Sequence, residues 1–352
     1  MKILHIISSL EIGGAQRLLA DLLPLMEKEN DVTLLLNKIV NNDFECSVRE
    51  AGVRIISIDQ PNLYSLTNLF SLIKWIKGYD IVHVHLFPTL YWVAFASFFT
   101  RTNFIYTEHS TSNRRRGKWY LRSFERFIYN RYNKIISISE KTQESLMNWL
   151  GVHNDDNRFV VVNNGVNLSA FQNVKKEKLY PQTLIMVARF VPAKDQKTII
   201  RAVQLLDKDA HVIFVGDGES IEECKFLARE LNVDDRVHFV GAQLDVPYWL
   251  AKADIGIQSS MWEGFGLTAV EMMAAGLPVI ASDVDGLKQV VEGAGELFPC
   301  GDYRKLSEII NKLISNKEYY NNIKSKCIER SKEFDICKVV ESYLDVYKSF
   351  VK

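Results

Sequence analysis

The chain has 352 residues, 47% of them hydrophobic, and its 43 basic and 43 acidic residues balance to a formal net charge of zero. That length is long for one core and comfortable for two, and the charge balance excludes a generally basic nucleic-acid binder. The scattered cysteines Cys46, Cys224, Cys300, Cys327 and Cys337 show no paired metal spacing, which fits a reducing, cytoplasmic compartment without a disulfide framework.

The N-terminal run Met1-Lys2-Ile3-Leu4-His5-Ile6-Ile7 leads straight into a strand pattern, without the leader and cleavage site of a signal peptide. The longest apolar run, 90–99, is too short to cross a bilayer, which takes about 20 residues. Strands are predicted at 3–7, 32–36, 53–58, 81–85, 104–107, 134–138 and 159–162, then at 184–188, 211–215, 237–240, 255–258, 279–281 and 296–298. Amphipathic helical stretches alternate with them, the pattern of parallel sheets covered on both faces. The expected fold is therefore α/β, with two doubly wound Rossmann-like domains facing a cleft. Polar, basic 171–178 is the linker candidate. The expected division is 1–172 and 180–335, two Rossmann-like domains. A final helix in 336–352 is expected to pack back on the first.

Ligands of such sheets bind at the carboxyl ends of strands, so the turns there carry the chemistry. After the first strand come Gly13-Gly14, which let backbone approach a phosphate or simply make a tight turn. His83 and His85 alternate on one strand and share a face. A metal pair is conceivable there, but no third ligand is visible in the sequence, and the pair reads as structural or acceptor-lining. His109 follows the strand 104–107. After the strand 184–188, Arg189 and Lys194 flank the start of a helix. A cation is poorly placed there unless an anion joins it, so the two read as a diphosphate clamp. Gly216-Asp217-Gly218 misses the dinucleotide spacing, with Ile221 where a third glycine belongs, which disfavours a nicotinamide cofactor. Glu263-Gly264-Phe265-Gly266-Leu267 leads into a helix that contains Glu271. Free amides at that turn suit an anion, and the two acids suit hydroxyls, a combination that describes a nucleotide sugar. The residues alone fit equally well a Glu271 that neutralises the helix N-terminus and a solvated Glu263. Asp283 and Asp285 are read as helix-capping rather than metal-binding.

Together, in order and across nearly the whole chain, these pieces resemble the retaining glycosyltransferases of family 4, with the two-Rossmann architecture called GT-B. Val162-Asn163-Asn164-Gly165-Val166-Asn167 near the domain junction belongs to the likeness, with Asn167 where many members have Asp. The resemblance implies a nucleotide-sugar donor, UDP-linked by default, and a glycan or lipid-linked acceptor, in cell-surface polysaccharide or glycolipid synthesis. It implies that Arg189 and Lys194 hold the diphosphate, Glu271 the ribose and Glu263 the donor sugar. Backbone at Phe265, Gly266 and Leu267 would meet phosphate or sugar. Gly14, beside Gly13, would approach the phosphate from the first domain, and Gly216 is placed with the donor-binding turns. His109 would lie by the anomeric carbon. Neither a cofactor nor a divalent metal is implied. The alternatives on the same architecture are a nucleotide-sugar epimerase or hydrolase, with Glu108 as a second acid, and a non-catalytic nucleotide-sugar binder.

Between 114 and 134 lie Arg114, Arg115, Arg116, Lys118, Arg122, Arg126, Arg131 and Lys134 against the single acid Glu125, interleaved with Trp119, Tyr120, Phe124 and Phe127. A basic, aromatic helix is a signature of an anionic membrane surface, which would place the protein peripherally on the inner face of the cytoplasmic membrane. The competing expectation is a solvated helix whose apolar stripe covers the sheet.

Overall fold

The computed structural model describes residues 1–351 apart from 12, 59–64, 66, 112–114, 154, 173 and 176. The first sheet comprises β1 (Lys2–Ile7), β2 (Asp31–Leu36), β3 (Arg54–Ser57), β4 (Ile81–His85), β5 (Asn103–Glu108), β6 (Lys134–Ser137) and β7 (Phe159–Val161). Its order is β3-β2-β1-β4-β5-β6-β7, with every paired strand parallel. The second sheet comprises β8 (Gln182–Val187), β9 (Ala210–Val215), β10 (Val237–Phe239), β11 (Ile255–Gln258), β12 (Val279–Ser282) and β13 (Glu296–Phe298). Its order is β10-β9-β8-β11-β12-β13, again parallel. Both sheets are doubly wound, as the alternating pattern predicts. Strand order reverses between β1 and β4 in the first and between β8 and β11 in the second, the positions where such sheets open a crevice.

The strands are apolar on both faces because helices cover both. On β1, Ile3 and Ile7 join one core cluster while Leu4 and Ile6 join the other. The first cluster is closed by the helix Gly14–Glu27 and by the last helix, Ile336–Lys348. In the last helix Ile336, Val339, Val340, Tyr343, Leu344 and Tyr347 recur at helical spacing and are all buried.

The chain forms two compact units, one of Met1–Gly165 with Ile336–Lys352 and one of Val166–Asp335. The linker expected at 171–178 falls within the span of the second unit. Val166 bridges Asp335 and its amide donates to the Phe334 carbonyl at 2.9 Å, so the second unit's two ends lie side by side. Among the described residues no helix is long and apolar enough to cross a membrane.

Candidate active site

In the second unit, β8 and β11 flank the reversal point and both deliver predicted site residues. Beyond β8 the chain makes a short turn of helix, Pro192–Lys194. Asp195 follows in the left-handed region at φ 47°, its carboxylate accepting from Thr198 Oγ1 at 2.6 Å. Beyond β11, Ser259 Oγ donates to the carbonyls of Lys194 and Asp195 at 3.1 and 2.8 Å, and the Met261 amide donates to the Ala193 carbonyl at 2.8 Å. These bonds tie the two loops together. Lys194 Nζ pairs with the Glu263 carboxylate, each side chain about one-fifth exposed. Arg189 is exposed and has no ion pair or side-chain hydrogen bond among the described residues. Arg189 and the Lys194–Glu263 pair thus stand on the loops that follow β8 and β11.

The turn after Glu263 is held from beneath. Gly266 caps the helix Leu267–Ala274 at φ 96°, where a side chain is strained, and a Cβ there would sit 2.8 Å from Leu287. Phe265 is buried with its ring edge-on to Phe334 at 5.4 Å. The amides of Leu267 and Thr268 have no carbonyl one turn back to bond, so the helix start stays open to an anion. Glu271 is half-buried one turn along. The sequence reading missed Gly286, whose Cβ would lie 2.1 Å from the Glu263 carbonyl oxygen. Backbone of the helix Asp285–Val291 therefore props the Glu263 turn.

Gly216 also has a packing duty. A Cβ there would lie 2.0 Å from the Ala188 carbonyl, so its glycine is required for the loop after β9 to pack on the loop after β8. The capping expected of the acidic pair is corrected. The helix cap is Val284, without a side-chain bond; Asp285 is the first helical residue and Asp283 pairs with Lys288 at 3.2 Å.

In the first unit, Gly13 caps the helix Gly14–Glu27 with extended backbone, so the first amides of a 14-residue helix open beside the end of β1. His109 follows β5 and belongs to a buried histidine group. His85 Nδ1 meets His109 Nε2 at 3.2 Å, and His85 Nε2 meets His5 Nδ1 at 3.1 Å. His83 is bonded to Tyr347 Oη at 2.5 Å and to Thr107 Oγ1 at 2.7 Å. Burial drives every ring toward the neutral form, lowering His5 to about 3 and His109 to about 4. His83 and His85 fall well below the usual histidine value, from burial first and neighbouring histidines second. The third partner that the sequence did not reveal for His83 and His85 is His5, which parallel register sets opposite His83. Nitrogens of His5, His83 and His85 lie within 4.8 Å of one another.

Two family models match in tandem. One, described as Glycosyltransferase Family 4, matches residues 12–170, and the other, Glycosyl transferases group 1, matches residues 169–330. The chain belongs to the family 4 glycosyltransferases. An uncharacterized glycosyltransferase of Haemophilus influenzae is 30% identical over 175 residues, 48% of this chain and 50% of that protein. The chain thus spans about half the length of that relative. The match to UDP-Gal:alpha-D-GlcNAc-diphosphoundecaprenol alpha-1,3-galactosyltransferase of Escherichia coli is 25% identical over 380 residues, covering 100% of this chain and 97% of that protein. The crystal structure of Anabaena HepE in complex with UDP and glucose superposes with a TM-score of 0.86 at 22% identity, covering 99% of this chain and 100% of that one. That likeness is one of fold, and the fold is GT-B.

The basic segment of this family 4 chain differs from expectation. Among the described residues no single helix runs through 115–134; a short turn Trp119–Leu121 precedes the helix Arg122–Tyr129. Arg114 lies outside the described residues. Arg115 and Arg116 are not surface cations. Arg115 pairs with buried Glu125 at 2.6 Å and lies over the Phe87 ring at 4.4 Å. Arg116 pairs with buried Glu108 at 2.8 Å and donates to the Thr111 carbonyl at 2.6 Å. Two buried carboxylates need cations, and Arg115 and Arg116 supply them. The aromatics do the opposite of covering the sheet. Trp119 is 83% exposed, and Tyr120, Phe124, Phe127, Phe98 and Phe99 are exposed with it. Phe98 and Phe127 stack at 6.1 Å, and Arg131 lies over Phe98 at 4.1 Å. Lys118, Arg122 and Arg126 stand exposed among these rings.

Proposed function

We propose that this protein is a retaining, metal-independent hexosyltransferase. In this reading it moves a sugar from a UDP-sugar to a glycan or lipid-linked acceptor in cell-surface polysaccharide or glycolipid synthesis. The observation that carries it is the set of side chains at the β8–β11 reversal point, where Lys194 pairs with Glu263 and Arg189 has no side-chain partner among the described residues. An arriving diphosphate competes for Lys194. The exchange frees the Glu263 carboxylate to accept from the sugar's hydroxyls, while Arg189 grips a second phosphate oxygen. Glu271 accepts from the ribose diol. The bond between the anomeric carbon and the phosphate oxygen breaks, and the acceptor oxygen bonds to that carbon from the same face. The acceptor's proton goes to the departing phosphate. Arg189 and Lys194 act most strongly at this moment, as charge grows on the leaving group.

The relatives support this reading. The E. coli relative uses UDP-galactose and a diphosphoundecaprenol-linked acceptor by name, and HepE was solved with UDP and glucose. A lipid-linked acceptor accords with residence on a membrane's cytoplasmic face. The exposed aromatic and basic strip from Phe98 to Phe127 suits interfacial insertion beside anionic headgroups. The epimerase or hydrolase alternative needs a second free acid, whereas Glu108 is buried and bound by Arg116 and Tyr129.

The test is a panel of nucleotide sugars scored by thermal stabilisation. A ligand at 100 times its Kd adds about 2.7 kcal/mol, roughly 5–11 °C for a unit of this size. UDP-sugars are expected to stabilise the wild type and to do so less with Arg189→Ala. Transfer is expected to survive EDTA. No stabilisation by any nucleotide sugar refutes the reading, and release of nucleotide without an acceptor favours the hydrolase.

A further inference from the structure

The histidine group leaves two atoms without partners. His5 Nε2 and His109 Nδ1 are buried, and neither has a hydrogen-bond partner. They are the two ends of one chain, His5 Nδ1 to His85 Nε2 and His85 Nδ1 to His109 Nε2. A neutral imidazole carries one proton, so it donates through one nitrogen and accepts through the other. Two settings satisfy both bonds. In one, all three rings carry the proton on Nδ1, and His109 presents an N–H at its free end. In the other, all three carry it on Nε2, and His109 presents a lone pair. Any mixed setting faces two protons or two lone pairs across a bond and forfeits it.

We propose that His5 and His85 are positioning residues for His109. The three rings change tautomer together, and an acceptor oxygen of the nucleotide-sugar donor at His109 Nδ1 sets all of them to the Nδ1–H form. The donor's part rests on the function proposed above; the coupling of the rings does not. The choice of form follows from cost. Each free setting strands one buried N–H, at His109 in the first and at His5 in the second, and a stranded buried donor is expensive. An oxygen acceptor can relieve the first and cannot reach the second. His83 stands outside the chain, because Tyr347 and Thr107 engage both its nitrogens. A metal held by His5, His83 and His85 would have to break those bonds. The rings closest to the group are those of Tyr343 and Tyr347, both buried phenols that burial keeps neutral.

The experiment uses the full chain with ¹⁵N-labelled histidine, long-range ¹⁵N–¹H correlation spectra, and assignment by single substitution. Expected are one shared tautomer for His5, His85 and His109, and the Nδ1–H pattern in all three on addition of UDP-glucose or another stabilising nucleotide sugar. His5→Leu is expected to move the ring nitrogens of His109, with which His5 shares no bond. It should also lower kcat at least fivefold while KM for the donor stays within twofold. His5→Asn, whose amide falls near the Nδ1 position, should restore both readouts. His5→Gln, whose amide falls near Nε2, should not, and this pair decides the matter if His5→Leu does not fold. Mixed tautomers, His109 signals unmoved in both His5→Leu and His5→Gln, or one metal ion per chain bound through these histidines would overturn the proposal. Coupled tautomers that do not respond to a nucleotide sugar that stabilises the protein would overturn the donor's part alone, whereas stabilisation by no nucleotide sugar would overturn the proposed function; either result leaves the coupling standing.

Discussion

Replacing Gly286 by alanine adds one methyl group and changes no charge. Yet that methyl would sit 2.1 Å from the Glu263 carbonyl oxygen, 2.6 Å from its carbon and 3.0 Å from the Gly264 carbonyl carbon. All three are backbone atoms, so no side chain can swing aside. The helix Asp285–Val291 and the Glu263 turn must separate by about 1 Å to reach ordinary contact. Overpacking of this kind costs about 1–3 kcal/mol, roughly 2–12 °C in the second unit's melting temperature. The displaced group is the carboxylate assigned to the sugar, and a misplacement of about 1 Å can cost on the order of 100-fold in rate. Differential scanning calorimetry with transfer kinetics would read both effects. Gly117→Ala is the control, since no atom lies within 4 Å of its Cβ. A Gly286→Ala protein that melts like wild type and transfers at the wild-type rate refutes the idea that this backbone contact sets the turn.

Three further outcomes are expected. Glu271→Ala should weaken nucleotide affinity at least tenfold, because a hydrogen bond to a charged group contributes about 1.5–3 kcal/mol; unchanged affinity by calorimetry refutes the ribose assignment. Trp119→Ser with Phe127→Ser should reduce co-sedimentation with anionic liposomes, as should Lys118, Arg122 and Arg126 changed to Gln, the latter loss alone being mimicked by added salt. No binding of the wild type returns the strip to solvent. The first unit should lose stability on acidification. Its buried histidines stay neutral down to about 3 for His5 and 4 for His109, whereas in the unfolded chain they take up protons near 6.5. Stability is therefore full above about pH 6.5 and falls below it, by up to about 1.4 kcal/mol per pH unit for each such histidine. His5→Phe should flatten the slope measured by urea titration at pH 4.5–7; an unchanged slope would show that His5 is not neutral in the folded state.

Much of the fold was legible because strands of a doubly wound sheet are short apolar runs broken by helices, and a periodic pattern survives in one sequence. All of the expected strands are present, with ends shifted by a residue or two. The turn from Glu263 to Glu271 stood out for a similar reason: glycines and acids contrast with the apolar strand and helix on either side. Partners brought together by the sheet did not stand out. His5 looked like a polar interruption in β1, and only register sets it opposite His83. Gly286 looked like one glycine among others until backbone from another loop met it. Arg115 and Arg116 looked like surface charge because their acids, Glu125 and Glu108, lie elsewhere in the chain. The sequence left the aromatic strip open between a membrane surface and a sheet-covering stripe for want of a boundary. A continuous helix would have turned those rings onto the sheet, and the helix that forms begins only at Arg122.

The second unit is inserted within the first, and this orders events during synthesis. Residues up to Gly165 emerge with one face of their sheet lacking the helix Ile336–Lys348. At roughly 5–20 residues per second, about 10–35 s pass before that helix is made. During this interval Leu19, Leu23 and the histidines of β1 and β4 await Tyr343 and Tyr347, while the contiguous second unit has every residue it needs to fold. A ribosome stalled in the codons for 336–348 would thus leave a chain whose second unit is complete and whose first unit exposes an apolar, histidine-lined face to chaperones and proteases.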